Sequence, residues 1–202
     1  MRIGLDIDDT VCRTGRIIQK KAEEFAKRRG IEEQVDANED FYMEKRWGFD
    51  GDDMEGFKTY VRREVDIMKL KPVDGLRKFV KWAKRNGHTI IIITTRNEEW
   101  FCGDEEVLHK RTVRWLKRHG IEAKEIYYAE NAKDKARIAK ENRCQRMIDD
   151  DYEVCKECKR AGIDAVWFTG EFGKISGSDM QRQVRDYPIN TLVSWRKIGT
   201  ID

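Results

Sequence analysis

Residues 1–11, MRIGLDIDDTV, decide how this chain is read. Ile3, Leu5 and Ile7 alternate as one face of a short β-strand would, yet the stretch also carries Asp6, Asp8 and Asp9. Residues two apart in a strand share a face, so Asp6 and Asp8 are expected to project together where the strand ends. Two carboxylates ~6 Å apart repel by roughly 2–3 kcal/mol at an effective dielectric near ~20, and burial adds to that. Stability alone does not select such a pair. A bound cation or a raised pKa on one member relieves it. Asp9 and Thr10 are read differently, as residues that shape the next turn by bonding to local backbone groups.

Working outward, Ile90 to Ile93 in HTIIIITTRN (88–97) form a run that is apolar on both faces, as in a central strand of a parallel sheet. Weaker strand signals follow at Glu125–Ala129, at Gln145–Ile148 running into Asp149, and at Ala165–Phe168. Between them, helical stretches stop at glycine: Leu76–Asn86 before Gly87, Glu105–His119 before Gly120, and Tyr152–Ala161 before Gly162. A further helix is expected over Lys133–Asn142. This alternation predicts an α/β fold, a Rossmann-like parallel sheet flanked by helices, with ligands bound at the carboxyl ends of the strands.

From Cys12 to Lys71 the alternation fails. A helix carrying Ile17, Ile18, Ala22, Phe25 and Ala26 ends at Gly30, an aromatic and acidic stretch follows, and a second helix is expected over Phe57–Met68. Residues 12–71 are therefore read as a small helical cap inserted after the first strand, and residues 1–11 with 72–202 as the core domain.

The 202 residues include 41 basic and 38 acidic side chains, a net charge of +3, which demands neither a nucleic acid nor a membrane as partner. No segment approaches the ~20 apolar residues of a membrane-spanning helix, and the first residues enter a strand at once, so a cytoplasmic protein is expected. Cys12, Cys102, Cys144, Cys155 and Cys158 form no disulfide framework; the Cys155–Cys158 pair falls inside a helix and is read as buried structural thiols.

Other strand ends repeat the polar pattern of the first. Thr94, Thr95 and Arg96 follow the second strand, and Asp149, Asp150 and Asp151 follow a later one. In a parallel sheet these ends converge on one edge. Lys133 and Lys135, near the start of the preceding helix, offer positive charge to the acids.

Taken in order, GLDIDDTV, ITTR, Lys135 and IDDD resemble the motifs of the haloacid dehalogenase superfamily of phosphohydrolases, and PVDGLRKFVKWAKRNGHTIIIITTR is similar to the family's run into its second motif. The resemblance implies that Asp6 is the nucleophile, forming an aspartyl-phosphate. Asp8 would protonate the leaving alcohol and later activate water, with a raised pKa suited to a general acid. Thr94 would bond the phosphoryl group and Lys135 would offset charge. Mg²⁺ would be held by Asp6, the backbone carbonyl of Asp8 and Asp150, with Asp149 in support.

An acid at position 8 fits phosphatases rather than the transport ATPases or dehalogenases of that superfamily. Cap size and the IDDD ending look most like the 5'(3')-deoxyribonucleotidase group, which implies a small phosphomonoester, such as a nucleotide, as substrate. Phe41, Tyr42, Trp47 and Phe49 are candidates for stacking on a nucleobase, or else for packing. Thr95 and Arg96 are candidates for substrate contact, with Arg96 reaching phosphate or pairing with an acid. Two alternatives stay open: a polynucleotide 3'-phosphatase with the same chemistry, and a non-catalytic homologue that binds a phosphate ligand or a protein.

Overall fold

A computed structural model describes residues 1–34, 46–170 and 189–200, the last three by backbone only. Among the described residues, six parallel strands make one sheet: β1 (Arg2–Leu5), β2 (Thr89–Thr94), β3 (Ala123–Tyr128), β4 (Arg146–Asp149), β5 (Asp164–Phe168) and β6 (Asn190–Leu192). Their order is β3-β2-β1-β4-β5-β6. The chain builds outward from β1 on one side and then crosses to build outward on the other. β1 and β4 therefore flank the point where the winding reverses, which is where ligands bind in open sheets of this kind.

The helices are α1 (Gly15–Arg29), α2 (Gly51–Glu64), α3 (Leu76–Arg85), a single turn α4 (Glu98–Phe101), α5 (Glu105–Arg118), α6 (Ala132–Glu141) and α7 (Tyr152–Arg160). Strand β2 explains why both faces of the sheet are covered. Ile90 and Ile92 join a cluster with α1, α2, α3 and α5, whereas Ile91 and Ile93 join a second cluster with α6 and α7. Gly4 leaves room for side chains of the second cluster: a Cβ added there would lie 2.7 Å from the Met147 sulfur.

Four strands and the helices match the expected alternation to within a residue or two at most ends. The first strand is shorter than expected, closing at Leu5, so Asp6 is the first residue beyond it. Helix α2 starts six residues before Phe57 because Asp50 caps it, its carboxylate accepting from Asp53 N over 2.9 Å, and it ends at Glu64. A separate 3₁₀ turn covers Ile67–Lys69. Strand β6 was not expected; its three residues present a single buried side chain, Leu192, too little to leave a pattern.

Within the segment between β1 and β2, Phe25, Phe49, Phe57 and Tyr60 form an aromatic cluster with ring centroids 5.5–5.8 Å apart. This cluster is continuous with the core against the sheet. Trp47 and Phe49 are 5% and 4% exposed and belong to it. Phe41 and Tyr42 lie outside the described residues. Cys155 and Cys158 are fully buried on α7, and burial pushes the Cys158 thiol up to about 12, as expected of structural thiols. Among the described residues, no helix is long and apolar enough to cross a membrane.

Candidate active site

The carboxyl ends of β1, β2 and β4 bring together most of the residues singled out from sequence. Asp6 leaves β1 with its N–H on Ile148 O of β4 at 3.1 Å. The chain then folds tightly: Val11 N and Cys12 N both donate to Ile7 O, at 3.0 and 2.8 Å. Asp9 sustains the turn at φ 59°, and its carboxylate accepts from Gly15 N over 2.7 Å, the local role expected of it. Thr10 does more than that. It donates to Asp150 Oδ1 at 3.2 Å and accepts from Asp150 N at 3.1 Å, tying the turn after β1 to the end of β4.

At the centre stands Lys135, placed by the second turn of α6. Asn131 caps that helix, accepting from Asp134 N at 3.1 Å, and this fixes the phase that turns Lys135 inward while Lys133 stays exposed. The Lys135 Nζ lies 2.6 Å from Asp6 Oδ1 and 2.8 Å from Asp149 Oδ2, with all three side chains at most 4% exposed. Burial alone would lower the lysine's pKa; Asp149 and Asp6 outweigh it and hold the ammonium charged.

One ammonium does not balance this centre. Asp6, Asp149 and Asp150 each offer a carboxylate oxygen within 4.8 Å of the other two, and all three are buried. Asp6 is accordingly pushed up to about 6, by burial first, with Lys135 opposing and Asp150 and Asp8 adding to the rise. Asp149 is raised well above the usual carboxylate range, again chiefly by burial. Three close hard oxygen donors fit a cation such as Mg²⁺, which takes oxygen ligands. Asp149 already spends one oxygen on Lys135 and the other on Asp151 N at 3.0 Å.

Asp8 is placed apart from these three. Its partner is Arg96, whose side chain is fully buried: Nε donates to Asp8 Oδ2 at 3.0 Å and Nη2 to Oδ1, where the Thr14 hydroxyl also donates. Of the two readings of Arg96, phosphate contact or acid pairing, this geometry is the second. The bidentate guanidinium and the Thr14 hydroxyl fix the orientation of the Asp8 carboxylate, so a cation and a hydroxyl stand beside it where acids were expected. Thr94 is fully buried at the end of β2, its hydroxyl accepting from Arg96 N at 3.2 Å, and Thr95 beside it is exposed. Thr14 and the buried Trp195 were not singled out from sequence: Thr14 lies only six residues after Asp8, whereas Trp195, whose Nε1 donates to Thr10 O at 2.7 Å, is 185 residues from its partner.

No family model matches the chain, and no curated protein does either. Solved structures do. A haloacid dehalogenase-like family hydrolase from Streptococcus pneumoniae is 12% identical, with 99% of this chain covering 97% of that one at a TM-score of 0.67. A HAD family hydrolase from Deinococcus radiodurans, solved with bound phosphate and sodium, is 14% identical over 98% and 92% of the two chains at a TM-score of 0.67. A haloacid dehalogenase-like hydrolase from Bacteroides fragilis is 16% identical over 96% of each chain at a TM-score of 0.65. At these identities it is the fold that is established, and this chain shares it with the haloacid dehalogenase-like hydrolases.

Proposed function

We propose that this chain is a phosphomonoester hydrolase that works through an aspartyl-phosphate on Asp6, with a nucleoside monophosphate as its substrate. The observation that carries the reading is the buried centre in which Lys135 bridges Asp6 and Asp149 beside Asp150, at the reversal point of the sheet. The bound phosphate of the Deinococcus radiodurans structure supports it by analogy of fold.

In this reading an Asp6 oxygen attacks phosphorus, the P–O ester bond breaks, and the leaving oxygen takes a proton from Asp8. Water then attacks the phosphorus of the aspartyl-phosphate, giving its proton to Asp8, and inorganic phosphate leaves with Asp6 restored. Lys135 offsets charge on Asp6 and on the phosphoryl group, and the Thr94 hydroxyl positions a phosphoryl oxygen. Asp6, Asp150 and the Asp8 carbonyl would hold Mg²⁺, with Asp149 in support. When bound, the cation offsets the acidic cluster and polarises phosphoryl oxygens. Residues 12–71 act as the cap that limits access, and Thr95, exposed at the strand end, is free to meet substrate.

Hydrolysis of p-nitrophenyl phosphate with and without Mg²⁺ tests this. Native protein should turn over with Mg²⁺ and the Asp6→Asn variant should not. Equal rates for the two would leave a phosphate-binding homologue without catalysis as the correct reading.

A further inference from the structure

Charge balances over the whole chain but not over its surface. Helix α3 carries Arg77, Lys78, Lys81, Lys84 and Arg85 in ten residues with no acid. Helix α5 carries Lys110, Arg111, Arg114, Lys117 and Arg118. The two sets have the same spacing, i, i+1, i+4, i+7 and i+8, which is a single helical stripe, and all ten residues are exposed. Both helices pack on one face of the sheet, through Leu76 and Phe79 of α3 and Leu108 and Trp115 of α5.

The carboxyl end of α5 lies beside α3. Val80 and Lys84 of α3 face Gly120 and Glu122, just past α5, across a cavity of about 460 Å³. His119 there has a lowered pKa, through burial first and then through Arg118 and Arg77, one cation from each helix.

A lysine-rich helix is ordinarily just a solvated face, and the other helices show what that looks like. On α6, Arg137 pairs with Asp134 and Glu141; on α7, Lys156 pairs with Glu153 and Arg160 with Glu157. On α3 and α5, Arg77, Lys78, Lys81, Lys84, Arg85, Arg114 and Lys117 form no ion pair among the described residues. Clustering that many uncompensated cations costs repulsion in the free protein, and a polyanion removes that cost.

We propose that the α3–α5 face binds the phosphodiester backbone of a nucleic acid strand, without reading its sequence. Residues four apart rise ~6 Å along a helix, so each stripe offers cations at a linear repeat suited to a row of phosphates. The large apolar side chains exposed on this face are Val107 and Val113 of α5, neither of them aromatic, and α3 exposes none, which is too little to enter a lipid surface. This binding stands independently of the hydrolase reading.

Anisotropy titration of an end-labelled single-stranded oligonucleotide of about 20 nucleotides, between about 50 and 200 mM salt, tests it. Native protein should bind at low salt and lose affinity steeply as salt rises. The triple variant Lys78→Glu, Lys81→Glu, Lys84→Glu should bind at least about tenfold more weakly, with the slope of log K against log salt reduced by roughly 2 at ~0.7 per phosphate contact. The neutral triple Lys78→Gln, Lys81→Gln, Lys84→Gln guards against misfolding and should shift in the same direction. A matched triple on the opposite face, Lys140→Glu, Lys156→Glu, Arg160→Glu, should lose much less. Equal loss in the two charge-reversed triples, no binding at low salt, or a preference for phosphatidylserine vesicles over the oligonucleotide would each overturn the proposal.

Discussion

Arg96 closes on Asp8 with Nε 3.0 Å from Oδ2 and Nη2 on Oδ1, its own side chain fully buried. The residue proposed to move the proton is thus oriented by a cation, not left to face substrate alone. Arg96 acts in this geometry as a positioning residue for Asp8, and the Thr14 hydroxyl completes the grip.

Removing that grip should affect turnover more than binding. Arg96→Leu is expected to lower kcat about 10- to 100-fold with little change in KM, the pattern of a misplaced reacting group. Arg96→Lys should recover part of the loss. Measurement of both constants for aryl phosphates of different leaving-group acidity checks this. A large rise in KM with kcat intact would place Arg96 on the substrate phosphate instead.

The sheet was legible because each strand that matters is apolar and short, and each ends in polar residues at the same edge. Ile90–Ile93 could only be buried on both faces, and the order of the acids fixed which strand ends had to converge. The pairing of Asp8 with Arg96 was not legible, since 88 residues separate them and strand periodicity gives no side-chain direction beyond Leu5, where the strand stops. The basic face was hidden for a similar reason. Its two stripes lie 33 positions apart in the chain, and each alone looks like an ordinary solvated helix.

Burial of the acidic centre has a consequence for stability that can be worked out in sign. Asp6 has an ordinary pKa near 3.8 and one of about 6 in the folded protein, so between these values the folded state holds the extra proton. Its contribution to stability is full below about 4 and is lost as pH rises through about 6. Asp149 acts in the same direction. With divalent ions chelated, the protein should melt at a higher temperature near pH 5 than near pH 7.5, and Mg²⁺ should restore the difference at the higher pH. Scanning calorimetry under the four conditions decides it. A metal-free protein that gains stability steadily across that window, with no response to Mg²⁺, would contradict the unbalanced charge of the centre.

The aromatic side chains between β1 and β2 offer a test of packing against recognition. Phe49 is 4% exposed, with its ring 5.5 Å from those of Phe25 and Phe57. Phe49→Ala should cost about 3–5 kcal/mol of stability, as for other buried aromatic truncations. The ratio of kcat/KM for a nucleoside monophosphate to that for ribose 5-phosphate should stay unchanged. Collapse of that ratio with stability retained would restore these rings, and Trp47 with them, to a role in stacking on the base.

The basic face and the acidic centre also have a spatial relation that bears on the choice of substrate. Val73 N donates to Val11 O at 2.8 Å, so α3 begins beside the turn that follows Asp6, and its stripe leads away from the acidic centre. A strand held on that stripe could present its phosphorylated end to Asp6. If it does, hydrolysis of a terminally phosphorylated oligonucleotide should fall steeply between about 50 and 200 mM salt, while hydrolysis of a mononucleotide barely changes. The Lys78→Glu, Lys81→Glu, Lys84→Glu variant should then raise KM for the oligonucleotide about tenfold or more and leave KM for the mononucleotide alone. Equal effects on the two substrates would separate the face from the reaction and leave the free nucleotide as the better reading.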